Sequence, residues 1–252
     1  MLQNHKVVVT IPVYNSAATL LRTYKEVAEQ EIVDAIVIVD DCSDDNTHEV
    51  LEVLEKAYIC QHPLNLGYGG NQKTCYRVAL ELGADVVIMV HPDYQYTPKL
   101  IPAIAGMIVS GVYDCVLGSR IVGGGALKGG MPFWRYIGNR FLTMTENIFV
   151  GTDLSEYHTG YRGFSRQLLE QIDTSHNSDG FLFDNQILTQ IAWHNYKIGE
   201  VSCPTSYHSD ASSIGFWLCV PYGFGCLATA IKYRLARMGF LSSRLYPRES
   251  DA

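Results

Sequence analysis

Short apolar runs alternate with longer stretches of helical period through the first half of the chain. Residues 7–11, 35–39, 58–61, 85–90 and 114–117 predict strands, and residues 17–29, 47–56, 70–82 and 99–110 predict the helices between them. Ser16 and Asn46 stand where N-caps belong. Strand–helix–strand units of this length predict an α/β fold, a mostly parallel sheet sandwiched by helices. The second half changes character. A glycine-rich loop over 123–130 precedes a predicted helix over 132–149, another over 183–194 and a short strand over 197–201. This half is expected to cover the sheet edge and shape a second substrate site. We expect a single domain over 1–210, followed by an apolar and then basic helical segment over 211–252 that packs on the domain, a partner chain or a membrane surface.

In parallel sheets ligands bind outside the carboxyl ends of the strands. The conspicuous polar residues fall at those ends: Pro12-Val13-Tyr14-Asn15, Asp40-Asp41, His91-Pro92-Asp93 and Gly118-Ser119-Arg120. One polar strand end is an ordinary turn; four on one edge predict a ligand site.

Composition narrows the partners. The 252 residues carry a formal net charge of −7, so a general nucleic-acid footprint is excluded. The seven cysteines are odd in number and form no C-x-x-C pair, which points to reduced thiols in a cytoplasmic chain. The opening MLQNHK runs straight into a strand, so no secretory signal is expected. Residues 214–231 are free of charge and then meet Lys232, Arg234 and Arg237. Eighteen residues is the lower limit for a membrane span, but Gly215, Pro221, Gly223 and Gly225 interrupt the run. A helix lying at the membrane surface, or buried against the domain or a partner, suits it better.

Two glycine patterns fail as phosphate loops. In NLGYGGNQKT (65–74) the residue before Lys73 is Gln72, which satisfies neither G-x-x-x-x-G-K-[ST] nor G-x-G-x-x-G. These glycines predict a tight approach before a helix whose first N–H groups face an anion. In DDCSDDNT (40–47) the residues from Asp44 onward read as capping chemistry. Adjacent carboxylates at Asp40 and Asp41 repel each other, and make sense if they accept hydrogen bonds from a polar ligand or help hold a metal.

Together IPVYN (11–15), VDDCSDDNT (39–47), NLGYGGNQ (65–72) and the acidic strand end at 91–95 resemble the family 2 glycosyltransferases of the Rossmann-like GT-A fold, over roughly residues 6–170. The pattern is most similar to the polyprenyl-phosphate (dolichol-phosphate) sugar transferases, through His91-Pro92-Asp93-Tyr94-Gln95, Gly118-Ser119-Arg120 and Thr159-Gly160-Tyr161-Arg162. The resemblance implies an inverting, metal-dependent transferase using a nucleotide diphosphate sugar (UDP or GDP) and a lipid-phosphate or glycan acceptor. It places Pro12, Tyr14, Asn15, Asp40, Asp41 and Asn71 on the nucleotide-sugar side. It assigns Asp93, Gln95 and His91 to a divalent Mn or Mg ion, and Asp93, Asp184 and Arg120 to catalysis. Arg120, Arg135 and Arg162 fall to the acceptor, with Glu156, Tyr157 and His158 nearby. The resemblance also leaves open peripheral contact with the cytoplasmic membrane face and a homo-oligomer.

Two departures stand out. His91 replaces the first aspartate of the family's D-x-D motif; neutral imidazole suits Mn better than Mg. Residues 206–216 (SYHSDASSIGF) lack the family's late basic stretch, leaving only His208 to supply charge. A nucleotidyltransferase is disfavoured because PVYNSAAT occupies the place of its basic glycine-rich loop. A non-catalytic nucleotide-sugar binder rests on His91 alone.

Overall fold

The computed structural model describes residues 1–205 and 216–247. Seven strands form one sheet in the order β3-β2-β1-β4-β6-β5-β7. They are β1 (Val7–Val13), β2 (Ala35–Asp40), β3 (Ala57–Gln61), β4 (Val86–Met89), β5 (Cys115–Ser119), β6 (Arg162–Ser165) and β7 (Ile198–Ser202). All neighbours pair in parallel except β6, which runs antiparallel between β4 and β5. The helices are α1 (Leu20–Ala28), α2 (Thr47–Glu52), α3 (Tyr68–Glu81), α4 (Ile101–Val109), α5 (Gly125–Lys128), α6 (Phe133–Val150), α7 (Arg166–Gln171), α8 (Phe183–Trp193) and α9 (Phe216–Arg237).

The central strands are wholly buried because both faces are covered. Val7, Val9, Ile11, Ile36, Ile38 and Ile88 pack on α1 and α4. The alternate residues Val8, Val37, Val39, Val87 and Met89 pack on α3 and α8. This is why the strands read as continuous apolar runs rather than alternating ones. Pro12 is tolerated inside β1 for a geometric reason. Thr10 O accepts from Val90 N and Val13 O from Asp41 N, so by alternation the nitrogen of residue 12 faces β4. There the pairing has already ended at Thr10–Met89, and no ladder bond is lost.

Several predicted boundaries move. α1 starts at Leu20; Ser16 serves it through its carbonyl, which accepts from Thr19 N and Leu20 N, rather than through its hydroxyl. Asn46 makes no capping bond, and Asp45 instead accepts from Thr47 N at 2.9 Å. The strand β6 and the helix α7 were not predicted. The inner face of α9 packs on α6 and α8, through a cluster of Val150, Trp193, Ala230, Tyr233, Ala236 and Tyr246. No helix among the described residues is long and apolar enough to cross a membrane. The segment 206–215, with His208, lies outside the described residues.

Candidate active site

The sheet reverses its winding at β1, which has β2 on one side and β4 on the other. Loops leaving the carboxyl ends of β1 and β2 diverge there and open a crevice. The two loops are tied together: Asn15 N donates to Ser43 Oγ at 2.9 Å, Asp44 N donates to Asn15 Oδ1 at 2.9 Å, and Ser43 donates through N and Oγ to Asp40 Oδ1. Pro12 is buried behind them, and Tyr14 stands out at the rim, half exposed.

Three strand-end turns carry non-glycine residues with positive φ: Asn15 (48°) after β1, Cys42 (62°) after β2 and Tyr94 (56°) after β4. Asparagine tolerates that region; cysteine and tyrosine adopt it at a cost of about 1–2 kcal/mol. Arg22 stacks on the Tyr94 ring at 3.5 Å and helps hold that turn. Strained turns at the ends of three adjacent strands mark this edge as the functional one. Beyond the turn residues themselves, nothing in the chain's pattern signals that strain.

The paired aspartates are satisfied by the chain itself. Asp40 turns into its own loop, while Asp41 accepts from Leu66 N (2.8 Å), Gly67 N (2.9 Å) and His62 Nδ1 (2.7 Å). Their mutual repulsion is relieved without a ligand. His62, whose other nitrogen meets Thr74 Oγ1 at 2.9 Å, was missed from sequence. The α3 terminus also differs from expectation. Gly69 N donates to Asp179 O at 2.7 Å, so the protein's own backbone occupies the place predicted for an anion. Asn71 bridges the strand ends instead of facing outward: its amide nitrogen donates to Val13 O and Val39 O.

After β4, Asp93 and Gln95 are both buried, and Asp93 Oδ1 accepts from Gln95 N at 3.0 Å. His91 Nε2 lies 3.0 Å from the Tyr68 hydroxyl, which donates to Asp184 Oδ2 at 2.7 Å. A hydroxyl has one proton to give. With that proton on the Asp184 side, His91 must carry its hydrogen on Nε2 and present a lone pair at Nδ1. Burial lowers the His91 pKa, outweighing the attraction of Asp93 and Asp184, so the ring is neutral near pH 7. Gly160 makes room for the ring: a Cβ there would sit 2.2 Å from His91 Nε2.

Asp184, in the first turn of α8, is surrounded. Its Oδ1 accepts from Gln72 at 3.1 Å and lies 3.5 Å from Arg162 Nη1. Arg162 is fully buried and spends its donors on Thr159 O, Asp184 O and Tyr157 O. The arginine expected to clamp an acceptor is here a framework residue, because no face of its guanidinium reaches solvent. Arg120 is likewise engaged. It pairs with the buried Glu156 through backbone and side chain, and donates to His158 O at 2.5 Å. Asn139 of α6 adds a fourth donor to Glu156 at 2.7 Å. Burial alone would raise the Glu156 pKa, but Arg120 and Asn139 hold it below its ordinary value. Arg135 lies on α6 with its guanidinium 5.3 Å from the Trp134 ring.

The residues around Asp93 fit a cation only of one kind. Among the described residues no group of three or more histidines, cysteines or carboxylates forms a ready cage. Buried Asp93, with His91 and Gln95 two residues to either side on the same turn, offers few protein ligands, which suits an ion whose other ligands are diphosphate oxygens.

The model of the family described as Glycosyl transferase family 2 matches residues 8–173. The chain is 27% identical over 213 residues to UDP-N-acetylglucosamine–dolichyl-phosphate N-acetylglucosaminyltransferase of Methanococcus voltae, covering 78% of this chain and 84% of that protein. It is 33% identical over 174 residues to the low-salt glycan biosynthesis hexosyltransferase Agl6 of Haloferax volcanii, 68% of this chain and 40% of that one. Glucosyl-3-phosphoglycerate synthase from Mycobacterium tuberculosis, solved with Mn2+, UDP and glucosyl-3-phosphoglycerate, superposes with a TM-score of 0.69 over 95% of this chain and 82% of its own. At 17% identity that likeness is one of fold.

Proposed function

The chain belongs to glycosyl transferase family 2 and is a glycosyltransferase, and from that premise we propose that it moves a sugar, with inversion, from a nucleotide diphosphate sugar to a lipid phosphate. Tyr14, Asn15 and Asp40 would line the nucleotide in the crevice between the ends of β1 and β2. Asp93 and Gln95, with His91 through Nδ1, would hold a Mn or Mg ion against the diphosphate. That ion would stabilise the charge growing on the leaving diphosphate. The acceptor oxygen attacks the anomeric carbon from the face opposite the diphosphate, which departs with the bonding electron pair.

The observation that carries the acceptor assignment is Asp184. Both of its oxygens are taken, by Tyr68 on one side and by Gln72 and Arg162 on the other. A sugar hydroxyl needs a base to remove its proton; a phosphate monoester, with a second pKa of about 6, is already a nucleophile at pH 7. Asp184 therefore serves as a positioning residue that orients Tyr68 and His91. The Methanococcus voltae relative, whose name specifies a dolichyl-phosphate acceptor, supports the same choice. Arg120 and Arg162 are committed to the framework, and Lys128 of α5 and Arg135 of α6 would supply positive charge to the acceptor phosphate.

The test is transfer of radiolabelled sugar from UDP- or GDP-sugars to a polyprenyl phosphate in the presence of Mn. Label that extracts into organic solvent is expected. Label transferred only to water-soluble glycans would overturn the lipid acceptor.

A further inference from the structure

The helix α6 is inside out. Its buried positions are Asn139, Thr143, Glu146 and, at the last residue, Val150, whereas Phe133, Ile137, Phe141, Met144 and Ile148 are exposed, Phe133 at 68% and Ile148 at 65%. The exposed set recurs at intervals of four, four, three and four residues, which is one face of a helix. A helix in water does the reverse. Alongside it, α9 exposes Val220, Phe224, Ile231 and Leu235 at helical spacing while burying Cys226, Ala230, Tyr233 and Ala236. The two helices are packed together: Gly223 lies against Leu142, and Arg234 donates to Ile148 O at 2.5 Å. Single exposed apolar residues are ordinary, but two adjacent helices each with an apolar outer stripe call for an apolar partner.

Charge identifies the partner. The chain has 26 acidic and 19 basic residues. Yet α6 and α9 together carry five basic residues, Arg135, Arg140, Lys232, Arg234 and Arg237, and one acid, Glu146, which is buried. An apolar stripe with basic flanks in an otherwise acidic molecule matches an anionic lipid surface. It is a poor match for a second copy, whose basic flanks would meet its own. The inner, polar side of α6 meanwhile reaches the site, through Asn139 on Glu156.

We propose that the outer faces of α6 and α9 form a peripheral docking surface for anionic membranes, which brings the Arg120–Glu156 side of the site to the lipid interface. The proposal stands whether or not the acceptor is a lipid, since docking requires no nucleotide sugar.

Sedimentation with vesicles tests it, comparing phosphatidylcholine alone with mixtures containing phosphatidylglycerol, without substrate. The full chain is expected to pellet with the anionic vesicles and to be released by 1 M salt. Ile137→Glu and Phe224→Glu should each weaken partition by about tenfold or more, the effect of losing one large apolar contact. Lys232→Glu should weaken it without touching the apolar stripe. Circular dichroism melting of each variant at the wild-type temperature shows that the fold is intact. No pelleting with anionic vesicles, or equal pelleting with neutral ones, would overturn the proposal. So would light scattering that showed a lipid-free dimer dissolved by the same variants.

Discussion

The hydroxyl of Tyr68 joins the turn after β4 to the first turn of α8, linking His91 to Asp184. Its pKa is raised well above its ordinary value by burial and by the Asp184 charge, which keeps the proton in place. Tyr68→Phe strands one donor and one acceptor in a buried setting. We expect it to lower unfolding free energy by about 1–3 kcal/mol in urea titrations; unchanged stability would show that the link is not formed. The sequence pointed to His91 and Asp184 separately, because each sits at a motif position. It did not point to their connection, since Tyr68 and Gln72 come from α3 and Arg162 from β6, two distant segments that only the fold assembles. The same limit applied to Arg162: its residue type suits phosphate, but type alone says nothing of burial.

At the scale of elements, the parallel strands were legible because burial on both faces leaves unbroken apolar runs. β6 was not, for it is four residues long and Arg162, Gly163 and Ser165 give it a loop-like composition. The glycines ahead of α3 were recognised as a close approach, although the neighbour turned out to be the backbone at Asp179. A Cβ on Gly69 would stand 2.3 Å from Ser178 O, where neither group can give way. Gly69→Ala is therefore expected to destabilise by about 1–3 kcal/mol. Gly138, in α6, has nothing within 4 Å of its absent Cβ, and Gly138→Ala should stabilise by about 0.5–1 kcal/mol. Thermal melts of the pair should move in opposite directions; a Gly69→Ala melt at or above the wild-type temperature would contradict the packing described for α3. The ion pair between Arg120 after β5 and Glu156 before β6, with Asn139 of α6, fastens three segments. Glu156→Gln should cost about 3–5 kcal/mol near neutral pH. Because the Glu156 pKa is lowered on folding, its contribution is complete above the unfolded value near 4.5 and is lost as pH falls through the lower folded value. The gap between wild type and Glu156→Gln in denaturant titrations should thus be constant above pH 5 and shrink below 4.5; a constant gap throughout would contradict the pairing.

For the whole molecule, we propose that one sheet edge binds a nucleotide diphosphate sugar between the ends of β1 and β2, with a divalent ion held at Asp93. The strand order puts the crevice at the reversal of the sheet. The strained turns at Asn15, Cys42 and Tyr94 mark the same edge independently. Calorimetric titration of the chain with UDP- and GDP-sugars, with and without Mn, and repeated on Asp93→Asn, tests this most directly. Saturable binding that requires Mn and disappears in the variant is the predicted result. Absence of binding to every nucleotide sugar, or binding indifferent to both Mn and Asp93, would contradict it.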